Sequence, residues 1–139
     1  MKKILVSACL LGCPCRYDGA SKQDRRVIAL MKDNILIPVC PEQAGGLATP
    51  RVPAEIKGDG VFTREGTDVT ECYRAGAKTA VSLAVLYGVD CCILKARSPS
   101  CGSGSVYDGS FTGTLIPGDG VSAAALKEAG YRVLTEEEL

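Results

Sequence analysis

The chain has 139 residues, of which 46% are hydrophobic and 23% charged, and Lys plus Arg balance Asp plus Glu at 16 each. This is the composition of a soluble globular domain, and it excludes disorder, collagen-like repeats and long charged tails. A formal net charge of zero argues against duplex nucleic acid as a partner, because such binding rests on neutralising phosphates.

Two counts stand out: eight cysteines and no histidine. Without histidine there is no Ser-His-Asp triad, no Cys-His nucleophile pair and no His-ligated zinc or haem. Acid–base chemistry must fall to Asp, Glu, Lys, Tyr or Cys, and a protein-held metal must sit on thiolate or carboxylate.

The opening, from Met1 to Cys13, mimics a lipoprotein signal, with two lysines ahead of a short apolar run. The run is at the lower end of the usual range, and no polar tether would follow Cys13. Lys3 to Ala8 reads instead as the first strand. No other segment approaches the roughly 18 apolar residues that span a bilayer, so no membrane is expected as a partner. The expected location is the cytoplasm, where thiols stay reduced and clustered cysteines signal metal or catalysis.

Ile4 to Cys9 is a continuous apolar run suited to a strand buried on both faces. Ser21 stands where it would cap a helix over Lys22 to Lys32, with Val27, Ile28, Leu30 and Met31 as its apolar positions. Ile35 to Val39 reads as a second buried strand that ends at Cys40. Residues 41–60 are punctuated by Pro41, Gly45, Gly46, Pro50, Pro53, Gly58 and Gly60, which predicts a long functional loop. Val61 to Thr63 follows as a small edge strand. A helix starts at Thr67 or Asp68, runs to Tyr87 and stops at Gly88.

Cys91 to Lys95 is the third buried strand, and Ala96 to Ser105 forms a Gly/Ser-rich loop. An excursion over Tyr107 to Leu115 leads to a helix over Val121 to Ala129 that Gly130 ends, and Tyr131 to Leu134 is the last strand. The alternation predicts an α/β fold: one domain over residues 1–139, a three-layer sandwich with a mainly parallel sheet of Rossmann or flavodoxin-like type.

Cys9, Cys40 and Cys101 each lie at or just past the carboxyl end of a predicted parallel strand. Ligands of open α/β sheets bind in the crevice outside those ends, so the topology directs three distant cysteines to one crevice. Thiolates are soft ligands suited to iron–sulfur clusters, zinc or Cu(I). Three of them would leave one iron of a four-iron cluster open, whereas electron-transfer clusters use four. The plainer reading is three unrelated buried thiols.

The remaining cysteines carry less. Cys13-Pro14-Cys15 offers a fourth ligand or a redox pair, at a spacing standard for neither. Cys91 and Cys92 adjoin on a strand and so face opposite sides, as core packing would have it, and Cys72 lies within a helix.

Around the three cysteines stand groups a reaction would need. Glu42 follows Cys40 by two residues and is the natural acid or base in a chain without histidine. Ser98 and Ser100 flank Pro99 just before Cys101. Gly102 to Ser105, with Ser103, forms a candidate anion nest, a weak signal alone. Arg51 and Arg97 are candidates for bidentate phosphate binding or for surface ion pairs, and Lys95 is equally open.

Taken together, three ordered motifs resemble the DUF523 family, which includes the thiouracil desulfidases. They are Ser7-Ala8-Cys9-Leu10-Leu11-Gly12 with Arg16-Tyr17-Asp18-Gly19, then Cys40-Pro41-Glu42 with Gly45-Gly46-Leu47 and Pro50-Arg51, then Arg97-Ser98-Pro99-Ser100-Cys101-Gly102. The likeness covers essentially the full chain in the family's stand-alone form, and Cys13 and Cys15 are additional to the motif.

The resemblance implies a [4Fe-4S] cluster on Cys9, Cys40 and Cys101 with one iron open to substrate. It also implies catalytic roles for Glu42 and Ser98, and a small thiolated pyrimidine, base or nucleotide, as substrate. Arg51, Ser100 and Ser103 are the candidates for substrate binding. The alternative function is a structural or sensory zinc or iron–sulfur module that uses a fourth cysteine, and a thiol–disulfide protein centred on Cys13 and Cys15 is third.

Overall fold

The computed structural model describes residues 1–139. Four parallel strands make the central sheet: β1 (Lys2–Ser7), β2 (Asn34–Val39), β5 (Cys91–Leu94) and β8 (Val133–Thr135), in the order β2-β1-β5-β8. Between β2 and β5 come α2 (Pro41–Ala44), the hairpin of β3 (Ala54–Lys57) and β4 (Gly60–Thr63), and the long α3 (Thr70–Tyr87). β6 (Ser105–Tyr107) and β7 (Leu115–Pro117) form a second hairpin ahead of α4 (Val121–Glu128). A short α1 (Arg25–Ala29) links β1 to β2.

Sheet position explains strand composition. β1 and β5 are central, so their apolar runs Ile4-Leu5-Val6 and Cys92-Ile93-Leu94 are all buried. β2 is an edge, which is why Pro38, lacking an N–H, is tolerated opposite Val6.

On one face Leu5, Ile37, Val39, Cys92 and Leu94 pack against Ala80 and Ala84 of α3 and Ala123 and Leu126 of α4. On the other, Ile4, Val6 and Ile93 meet Leu10, Val27, Cys9 and Cys15. Cys92 and Cys91 therefore belong to opposite faces. Helices and a chain segment cover both sides of a parallel sheet, giving the three layers expected. No helix is long and apolar enough to cross a membrane.

Several local expectations are corrected. α1 is confined to Arg25–Ala29 and capped by Asp24 rather than Ser21: the Asp24 carboxylate accepts from Arg26 N at 2.9 Å and Val27 N at 3.4 Å. Its own Arg26 guanidinium also holds that carboxylate, at 3.0 Å. A 3-10 turn over Leu30–Lys32 then ends the segment. Residues 41–60 are more ordered than a loop, for they hold α2 and β3.

The small strand expected at Val61 to Thr63 is β4, which pairs with β3 in a two-stranded hairpin. α3 starts at Thr70, where the Asp68 carboxylate accepts from Thr70 N at 2.9 Å and Thr70 Oγ1 accepts from Val61 N at 2.9 Å, fastening the helix to β4. Gly88, at φ +62°, provides the left-handed residue that ends it.

α2 rests on α3 through two glycines. A Cβ on Gly76 would fall on the Pro41 carbonyl oxygen, and one on Gly45 on that of Cys72. The backbones touch where Cys40 gives way to Glu42, so this contact sets the depth of both.

Two predictions follow from the packing. Gly76→Ala must push α2 off α3; we expect a lowered melting temperature, a loss of about 1–3 kcal/mol in denaturant titration, and no such loss for the exposed Gly66→Ala beyond that of its left-handed φ. Burial raises the Cys92 thiol from 9.0 to about 12. The folded chain then keeps this proton to higher pH than the unfolded chain, so the stability it lends is full below pH 9 and fades as pH climbs towards 12. Melting temperatures followed through that window are expected to fall less in Cys92→Val than in the parent.

Candidate active site

From β1 the chain goes to β2 on one side and then crosses to β5 on the other, so the switch point of the sheet lies between the carboxyl ends of β1 and β5. A cavity of about 560 Å³ opens there. Its floor is built by the strand ends, with Ser7, Ala8 and Cys9 at the end of β1, Val39 and Cys40 at the end of β2, and Lys95 to Ser98 after β5. The hairpins roof it with Glu55, Arg64, Tyr107 and Phe111. Glu55 clasps the two hairpins together, its Oε1 accepting from Gly109 N at 3.0 Å and Phe111 N at 3.1 Å.

Cys9, Cys40 and Cys101 all line this cavity, and Cys15 joins them. Cys9 sits in the 3-10 turn Ala8–Leu11 that follows β1. Cys40 is the residue before α2, where its carbonyl accepts from Ala44 N. Cys101 is held by the turn from Ser98. Cys40 Sγ donates to the Cys15 carbonyl at 3.8 Å, drawing the 13–15 strap onto the second strand end.

Burial pushes the Cys9 thiol up to about 11, with Lys95 opposing, and the Cys15 and Cys101 thiols up to about 12. Thiols that burial holds protonated suit a site whose ligands lose their protons on meeting a metal. No three Cys, Asp or Glu side chains converge closely enough to hold one ion. The thiols that line this cavity are soft donors of the kind an iron–sulfur cluster takes.

Glu42 lies in the first turn of α2, and Arg51 reaches it from the following loop. Their side chains are 13% and 9% exposed. Arg51 Nε donates to Glu42 Oε2 at 2.9 Å, and Nη2 donates to the same oxygen. The other donors go to the Cys15 carbonyl at 2.9 Å, the Ala48 carbonyl at 3.2 Å and Thr49 Oγ1 at 3.0 Å. The buried Tyr73 of α3 also faces Glu42, and burial followed by that carboxylate pushes its hydroxyl well above the usual range.

Ser98 Oγ accepts from the backbone N–H groups of Ser100 and Cys101, both at 3.1 Å. Both lone pairs of the hydroxyl are thereby occupied, which leaves its own proton for the cavity it lines. The chain enters this turn through Arg97, whose φ of +66° is a left-handed strain rare outside glycine.

Other candidates from the sequence stand elsewhere. Ser100 is 1% exposed, outside the cavity lining, with its hydroxyl 3.1 Å from Ser122 Oγ under α4. Ser103 is also outside the lining, and the neighbouring Gly104 N–H already donates to the Asp119 carboxylate at 2.9 Å. A carboxylate thus sits where an anion nest was expected. Arg97 is paired with both oxygens of Glu137 at 2.8 and 2.9 Å, and Lys95 with Glu136 at 3.0 Å. Cys13 is exposed and Cys72 half-buried, both outside the lining.

Sequence reasoning missed Tyr73, Tyr107, Phe111, Lys22 and Arg64, all in the lining. Arg64 lies 5.8 Å from the centre of the Phe111 ring, and neither it nor Lys22 makes an ion pair. Hairpin closure brings most of these together, and no local pattern announces it.

Comparison with known proteins agrees with this fold. The chain is 44% identical over 146 residues to the uncharacterized protein YbbK of Bacillus subtilis (strain 168), covering 98% of this chain and 97% of the relative. A solved structure described as the [4Fe-4S]-dependent thiouracil desulfidase TudS (DUF523Vcz) is 45% identical, covers 100% of this chain and 93% of its own, and superposes with a TM-score of 0.94. The model of the family described as 2-thiouracil desulfurase matches residues 4–138. With nearly every residue matched, the chain belongs to the 2-thiouracil desulfurase family.

Proposed function

We propose that this chain is a [4Fe-4S]-dependent, non-redox desulfidase that replaces the sulfur of a thiolated uracil, as base or nucleotide, by oxygen. The observation that carries the reading is the meeting of soft thiols, one clamped carboxylate and one outward-donating hydroxyl in a single cavity at the sheet's switch point. Cys9, Cys40 and Cys101 would hold the cluster, three thiolates for four irons. The whole chain acts as one domain, in the cytoplasm, where such a site stays reduced.

When bound, the cluster supplies a thiophilic Lewis acid for the substrate's sulfur. Glu42 accepts a proton from the water that attacks the thiocarbonyl carbon. Ser98 donates its hydroxyl hydrogen to the ring or to the anion that develops on it. The C=S bond gives way to C=O, water supplies the oxygen and sulfur leaves as hydrosulfide, so no electrons are exchanged. The volume, about 560 Å³, is within the range of small-molecule pockets. Tyr107 and Phe111 supply aromatic side chains to the lining, against which a pyrimidine would pack. With Arg51 committed to Glu42, the phosphate of a nucleotide falls to the unpaired cations Lys22 and Arg64.

The test is anaerobic reconstitution with iron and sulfide, followed by the thiocarbonyl absorbance of 4-thiouracil and 4-thio-UMP. The band is expected to fade only with the loaded parent, and Glu42→Ala should keep its iron yet lose on the order of 10²-fold or more in rate. Serine substitution should reveal three essential cysteines. Cys15, buried in the same wall, favours one other reading, a closed four-thiolate module. A fourth essential cysteine, with every thiouracil left intact by the loaded protein, would establish that module instead.

A further inference from the structure

Arg51 stands where a phosphate-binding arginine would be expected, yet it has nothing left to offer a phosphate. A guanidinium carries five N–H donors. Two of those on Arg51 go to Glu42 Oε2 and one each to the Cys15 carbonyl, the Ala48 carbonyl and Thr49 Oγ1. The side chain is 9% exposed, so bulk water does not compete for them. Both Arg51 contacts on the carboxylate fall on Oε2, so Oε1 receives none from Arg51, while the buried Tyr73 hydroxyl also faces this carboxylate.

We propose that Arg51 is a positioning residue: its fork fixes the rotation of the Glu42 carboxylate so that Oε1 faces the substrate water. The inference rests on the reading of Glu42 as the group that takes the water's proton. Three further anchors make the fork rigid. Through the Cys15 carbonyl it is tied to the strap that Cys40 also holds, and through Ala48 and Thr49 to its own loop. The orientation of Glu42 is thereby linked to the wall that carries the thiols. A lysine can keep the charge but cannot reproduce a planar fork with five directed donors.

The experiment is a double-mutant cycle on the cluster-loaded enzyme, using Arg51→Met, Arg51→Lys, Glu42→Gln and the paired variants, with iron and sulfide content measured for each. Both 4-thiouracil and 4-thio-UMP serve as substrates. Misaiming one reactive group costs on the order of 10²-fold, so Arg51→Met should lower kcat by about that factor for base and nucleotide alike, with little change in KM. Arg51→Lys should recover part of the loss. In the Glu42→Gln background, Arg51→Met should cost almost nothing more, because its effect passes through the missing carboxylate.

A loss that multiplies in full with that of Glu42→Gln would refute positioning. So would a KM increase confined to the nucleotide, which would make Arg51 a phosphate ligand. Unimpaired turnover by Glu42→Gln would overturn the underlying reading of Glu42, whereas an inactive Glu42→Gln beside an unaffected Arg51→Met would overturn only this inference. Should Arg51→Met fail to load, Arg51→Lys completes the same cycle.

Discussion

Parallel pairing of β2, β1 and β5 imposes the constraint on which the rest of the molecule depends. Strands that run the same way end on the same side, and the chain's crossing from β2 to β5 leaves a crevice between the ends of β1 and β5. A thiol placed shortly after each strand arrives at that crevice whatever its distance in sequence. Cys9 and Cys40 get there at once. Cys101 needs the Ser98 turn to bring it back, and the same turn aims the Ser98 hydroxyl. Scaffold and site are thus the same hydrogen bonds, seen from two sides.

Electrostatics sorts the residues that share the cavity. Burial raises the Cys9, Cys15 and Cys101 thiols, so the wall they form is a poor place for ions until a metal compensates. The cations nearest the sheet are each given a carboxylate: Lys95 has Glu136, Arg97 has Glu137 and Arg51 has Glu42. Only the cations towards the hairpins and the strap, Arg64 and Lys22, are left without one. This gradient, from satisfied floor to unsatisfied rim, is what a pyrimidine with a charged tail would require.

Much of this is legible in the sequence. Unbroken apolar runs mark β1 and β5 because central parallel strands have no polar face, whereas β2, expected to be buried, is an edge strand with Ile35 exposed. Gly88 marks the end of α3 because the chain must turn left-handed there. The three cysteines could be grouped because strand polarity is a property of the whole sheet. What stayed hidden depends on contacts across the fold. Asp24 outcompetes Ser21 as a cap through a guanidinium two residues on. The β3–β4 and β6–β7 hairpins are closed by Glu55, a residue far from the amides it binds. Ser100 turns under α4 towards Ser122, and Asp119 occupies the Gly104 amide. Arg51 stayed open between phosphate binding and a surface ion pair because its four acceptors lie on three separate stretches of chain.

The central claim is that the cavity performs a hydrolysis, with sulfur exchanged for oxygen and no electrons transferred. It is tested most directly by running the cluster-loaded enzyme on a thiouracil in heavy-oxygen water with no reductant present. The account predicts that the new uracil carbonyl carries the label and that sulfide is released in equal amount, turnover after turnover. Unlabelled product, or a reaction that stops until a reductant is supplied, would contradict it.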